Sequence, residues 1–171
     1  MINSLSEIKT GDVVLVHTYF CWYKPLTYLS ALIRFFDKTF YNHCKLVVKN
    51  IGDVMFINEA LAGGIENSNA AYNLKGKKIL VLRPKQALQD EINFIVKTNS
   101  FVGDTSYYFF ALVKQLVYLT TGYWIKTKWQ KTPKKFYCSE YCAYMHNMKD
   151  WWKVAPRDLL QSELFETIYE N

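Results

Sequence analysis

From His43 to Ala60 the chain reads HCKLVVKNIGDVMFINEA, two apolar, β-branched runs joined by Lys49-Asn50-Ile51-Gly52-Asp53. Gly52 supplies the left-handed conformation that a tight connection requires, so the pattern predicts strand, turn and strand in an antiparallel hairpin. A hairpin fixes which side chains lie opposite one another, and the period of two decides which share a face. With the turn centred on Ile51-Gly52, His43 falls opposite residue 59 or 60, which puts Glu59 beside it. Asn58 then faces the other side, and a slip of one residue would exchange the two.

The rest of the chain supplies neighbours for this hairpin. Gly11-Asp12 before VVLVHT predicts a turn feeding a strand over 13–18, and KKILVLRP predicts a third strand ended by Pro84. Pro25 opens a helix in which Leu29, Leu32, Ile33 and Phe36 form one apolar face. Further helices are expected over 85–98 and 107–121, the second stopped by Gly122. Another begins near Cys138, a short one starts at Pro156, and a last strand is expected near 164–169. The predicted class is α+β, a small antiparallel sheet with flanking helices. No repeat or Pro/Gly-rich linker divides the 171 residues, half of them hydrophobic and 21% charged, so a single domain over 1–171 is expected.

The net charge of +6 comes partly from Lys126, Lys128, Lys131, Lys134 and Lys135, interleaved with Trp124 and Trp129. Such a segment attracts anionic polymers or lipid, but no nucleic-acid module surrounds it. It reads as a solvated loop, with no nucleic-acid partner expected and peripheral membrane contact left open. The N-terminal MINSLSEIKTGD has no apolar signal core, and YYFFALVKQLVYL at 107–119 is shorter than a spanning helix of ~20 residues. A soluble, cytoplasmic protein without a transmembrane span is expected, its four cysteines reduced.

The segment FYCSEYCAYMHN places Cys138, Cys142 and His146 at intervals of four. A helix rises about 1.5 Å per residue, so Cys138 and His146 would stand about 12 Å apart, too far to share an ion. The paired C-x₂₋₄-C spacing of structural zinc is also absent, and neither a metal nor a cofactor is expected. Cys142, a turn inside the helix, reads as a small buried hydrophobe. Cys138 falls at the helix start, where free N–H groups and the positive dipole end stabilise a thiolate. His43 is its candidate base and Glu59 the candidate orienter of that imidazole, with His17 as a reserve base.

These segments resemble the circularly permuted branch of the NlpC-type papain-like cysteine hydrolases, the YiiX-like proteins, to which the lecithin retinol acyltransferase-like proteins are related. IKTGDVVLVHT is similar to the family's opening Gly-Asp strand, YNHCKLVV to its histidine segment and FINEALAGGIENS to the strand that follows. YCSEYCAYM is similar to its nucleophile helix, and VAPRDLLQSELF to its proline-led C-terminal helix. The resemblance implies a papain-like fold with Cys138 as nucleophile, His43 as base and Glu59 as orienter. VGDTSYY is like a Gly-x-x-Tyr-Asp stretch of the family with one extra residue and Tyr108 in the Asp position, which offers Tyr107 and Tyr108 as substrate-binding candidates.

The expectation is a cysteine hydrolase or acyltransferase that opens an amide or ester carbonyl through a thioester. Its substrate would be a small peptide, a cell-wall peptide or an acyl lipid. The competing expectation is a non-catalytic binding module that retains the fold.

Overall fold

The computed structural model describes residues 7–18, 25–51, 54–61, 63–103, 106–107, 109–125 and 135–171. Its centre is a six-stranded antiparallel sheet in the order β4-β3-β2-β1-β5-β8. The strands are β1 (Val13–Val16), β2 (His43–Ile51), β3 (Val54–Leu61), β4 (Gly64–Asn69), β5 (Ile79–Pro84) and β8 (Phe165–Glu170). A short parallel pair, β6 (Ser106–Tyr107) with β7 (Lys135–Phe136), forms a second sheet beside β4. The helices are α1 (Pro25–Asp37), α2 (Ala70–Leu74), α3 (Glu91–Asn99), α4 (Phe109–Thr121), α5 (Cys138–Met145) and α6 (Pro156–Gln161).

The central strands are apolar on both faces because both are covered. On one face Val13, Leu15, Cys44, Leu46, Leu80 and Leu82 pack with Cys138, Tyr141, Cys142 and Met145 of α5. On the other, Val14, Val16, Val47, Ile57 and Val81 pack with Ile8 and with Ala70 and Leu74 of α2. Gly11 turns the chain into β1 at φ 87, a left-handed conformation in which a Cβ would also meet Leu88 at 2.9 Å. Asp12, buried beside it, accepts from Arg83 at 2.7 Å and 3.0 Å and from the Lys9 N–H at 2.8 Å, which fastens the start of β1 to β5.

The hairpin forms, but its register differs from the sequence expectation. Lys45, not His43, lies opposite Glu59, because Ile51 pairs with Val54 and an irregularity between Val47 and Lys49 takes up one residue of β2. Four further differences have local causes. The helix expected from residue 85 begins at Glu91, where Asp90 caps it by accepting from the Asn93 N–H at 2.9 Å. The helix expected from 107 begins at Phe109, because Ser106 and Tyr107 pair with β7. β4 and α2 carry too few periodic apolar residues to announce themselves, β4 being half exposed at the sheet edge. The expected apolar face of α1 turns outward in part, Leu32 and Phe36 being 47% and 37% exposed, since α1 packs on α4 rather than on the sheet.

Candidate active site

α5 begins at Cys138 and runs over the sheet against β2. Two backbone-fixing contacts hold its first turn. The Tyr137 N–H donates to Glu140 Oε2 at 3.2 Å, and Ser139 Oγ donates to the Val154 carbonyl at 2.8 Å. Burial pushes the Glu140 carboxyl up to about 8, so it is largely neutral at pH 7 and adds little negative charge beside Cys138.

Cys138, His43 and Glu59 come together. His43 Nε2 lies 3.0 Å from Glu59 Oε2, and the imidazole hydrogen-bonds Cys138. With Nε2 held by the carboxylate, Nδ1 is the nitrogen left for the sulfur. Glu59 reaches His43 diagonally, since Lys45, the next residue of β2 on the same face, is its direct partner across the ladder.

A second cation shares the carboxylate. Lys45 Nζ donates to Glu59 Oε2, the oxygen that also meets His43. Asn73 Nδ2 donates to Glu59 Oε1 at 3.0 Å and to Ser68 Oγ at 2.7 Å. Burial works to raise the Glu59 carboxyl, but the His43 hydrogen bond and the charge and hydrogen bond of Lys45 outweigh it and hold it at about 2. Burial works against a charged His43. The adjacent Cys138 thiolate and the hydrogen bonds to Cys138 and Glu59 win, lifting the imidazole to about 9, while Lys45 opposes them.

Cys138 is held well below the usual thiol range. The Cys44 thiol donates to its sulfur, burial opposes ionisation, and the His43 charge, the His43 hydrogen bond and the Cys44 backbone add to the stabilisation. Cys44 is pushed well above that range by burial and by the hydrogen bond and negative charge of Cys138. Two adjacent strand residues therefore meet the same sulfur, one as a cation and one as a neutral donor. Cys142, also buried, is driven upward by burial and by the Cys138 charge.

Asn58 faces the other way, its amide 3.2 Å from Tyr141 Oη and its carbonyl oxygen accepting from Asn67 Nδ2 at 2.7 Å. His17 stacks on Phe40 with ring centroids 4.2 Å apart, and its Nδ1 lies 2.8 Å from the Phe40 carbonyl oxygen. The imidazole that meets Cys138 is that of His43. Tyr107 ends β6, while Tyr108, Cys21 and the basic segment 126–134 lie outside the described residues.

Sequence reasoning missed Lys45, Cys44 and Asn73. The period of two placed Lys45 on the face of His43, and that was the available signal. Among the described residues no group of three or more His, Cys, Asp or Glu side chains is arranged to hold a metal ion. Nor, among them, is any helix long and apolar enough to cross a membrane. No protein-family model and no curated protein matches the chain.

Proposed function

We propose that the protein is a papain-like cysteine hydrolase or acyltransferase of the permuted NlpC type, acting on an amide or ester carbonyl. The observation that carries this reading is the hydrogen-bonded line Cys138, His43, Glu59, with the cysteine at a helix start and the carboxylate on the imidazole nitrogen away from it. Base and orienter stand on the adjacent strands β2 and β3 of an antiparallel sheet, and the nucleophile's helix packs on that sheet against β2, an arrangement that supports the likeness to the papain-like fold.

In this mechanism the resting pair is a Cys138 thiolate and a His43 imidazolium. The sulfur forms a bond to the carbonyl carbon, and the π electrons move to oxygen, where the free N–H of Cys138 at the head of α5 receives the charge. Collapse of the tetrahedral species breaks the bond to the amine or alcohol, which leaves with the Nδ1 proton of His43. A thioester and a neutral imidazole remain. His43 then takes a proton from water, or from an acceptor hydroxyl or amine, as that nucleophile adds to the thioester and expels the thiolate. Glu59 keeps one tautomer and stabilises the imidazolium in both halves.

The test is the rate of Cys138 alkylation by iodoacetamide between pH 5 and 10, beside a panel of amides and esters assayed with wild type and Cys138→Ala. Fast alkylation below pH 7 and turnover lost in Cys138→Ala are expected. A Cys138 that reacts no faster there than a free thiol would overturn the proposal.

A further inference from the structure

Lys45 is only 1% exposed, and an ammonium taken out of water is costly unless its charge is matched and its protons are placed. Both conditions are met by the candidate site itself. Lys45 Nζ donates to Glu59 Oε2 and lies 3.3 Å from Asn73 Oδ1, while Asn73 Nδ2 donates to Glu59 Oε1. Lysine, carboxylate and amide thus close a ring in which each side chain is held by the other two. Ser68 anchors the ring from β4 through its contact with Asn73. The plane of the carboxylate is fixed by groups on β2 and α2, the latter anchored from β4, before His43 is considered.

We propose, resting on the hydrolase reading, that Lys45 is a positioning residue. Acting through Glu59, it fixes the carboxylate that aims His43 and sets the pH window in which the thiolate–imidazolium pair exists.

Two effects follow from its place. A carboxylate shared between two cations gives less of its charge to either, so His43 is a weaker base than it would be beside an unshared Glu59. The ammonium also repels a proton on His43 and favours the thiolate of Cys138. The charged and titratable neighbours that bear on this are few. His43 and Cys138 flank the ring, Lys77 opposes the charge of Lys45 from the α2–β5 connection, and Glu66, opposite Glu59 on β4, is exposed. A lysine that merely neutralised a buried acid would leave reactivity at Cys138 untouched as long as the fold survived.

The test is the pH profile of iodoacetamide labelling, read at Cys138 by fragmenting the peptide in a mass spectrometer, for wild type and Lys45→Met. The acid limb reports thiolate formation and the alkaline limb the loss of the His43 proton. In Lys45→Met both limbs are expected to move upward, by about one pH unit for the removal of one nearby charge. An unmoved pair of limbs in folded Lys45→Met overturns the inference.

Asn73→Ala provides the same reading if Lys45→Met does not fold, because it opens the ring and keeps both charges. Its carboxylate, less shared, draws harder on His43, so the alkaline limb moves up. An unmoved alkaline limb overturns the inference here as well. A wild-type profile without either limb removes the hydrolase reading and this inference together. Two wild-type limbs that neither variant moves remove this inference alone.

Discussion

The two ends of α5 each meet one half-buried histidine and treat it in opposite ways. At the N-terminal end His43 lies between the Cys138 sulfur and the Glu59 carboxylate and is lifted to about 9. At the C-terminal end His146 caps the helix between Phe94 and Phe165, with ring centroids 5.7 Å and 5.1 Å away, and burial pulls it down to about 4. Its Nε2 finds no hydrogen-bond partner among the described residues. Burial alone penalises the charge at both ends. What differs is the company, since a carboxylate and a thiolate overturn the penalty and two phenyl rings cannot. The same rule divides the cysteines, because Cys138 faces an imidazolium and a thiol donor while Cys142, a turn along, faces hydrocarbon.

The sharpest way to break this contrast is to exchange the histidines' consequences. His43→Ala returns the Cys138 thiol toward or above its ordinary range, and labelling at pH 6 is expected to slow on the order of a thousandfold. His146→Phe should leave that rate unchanged. Comparable slowing in both variants would mean that the reactivity of Cys138 reflects the packing of α5 rather than its partners.

Next in size is the response of stability to acid. His146 has a folded pKa below its value of 6.5 in an unfolded chain, so the unfolded state binds the proton more readily as pH falls. Stability should therefore drop between about pH 6.5 and pH 4, by about 3 kcal/mol, and then level off for this group. Denaturant unfolding of wild type and His146→Phe at several pH values measures it. The variant should lack that part of the slope. If it keeps the whole slope, His146 is already charged in the fold or reaches water.

Cys44 tests the donor side of the comparison. Cys44→Ala removes the thiol that donates to Cys138 and keeps His43, so the acid limb of labelling should rise by about one pH unit, a tenfold slowing on that limb. A limb that stays in place would assign the stabilisation of the thiolate to His43 alone.

How much of this was written in the sequence depends on range. Cys138 at a helix start, and His43 and Glu59 on one face of a hairpin, follow from local pattern, and the structure brings the three together. The hairpin register differs from the expected one because Ile51 is itself a paired strand residue, opposite Val54, rather than the centre of the turn, and the irregularity after Val47 takes back one residue of the difference. Lys45 sits where alternation puts it, but a lysine in a strand reads as solvent-facing until Asn73 arrives from α2 to complete its surroundings. The fate of His146 was set by Phe94 and Phe165, both remote in sequence, so its spacing from Cys142 held no usable information.

The smallest expected effect concerns Cys142, and it separates packing from chemistry at one site. The residue is fully buried among Leu15, Leu46, Met145 and their neighbours. Cys142→Ala removes a sulfur atom from that cluster and should cost about 1 kcal/mol with Cys138 labelling unchanged. Cys142→Ser keeps the volume but puts a hydroxyl where hydrocarbon surrounds it. Burying that group without a full set of partners costs about 1–3 kcal/mol, so serine should be the worse replacement although it is the closer isostere. The order alanine above serine in denaturant midpoint is the expected outcome. The reverse order, or a drop in Cys138 labelling in either variant, would show that Cys142 takes part in the hydrogen bonding of the site and that the contrast between the two cysteines is one of degree.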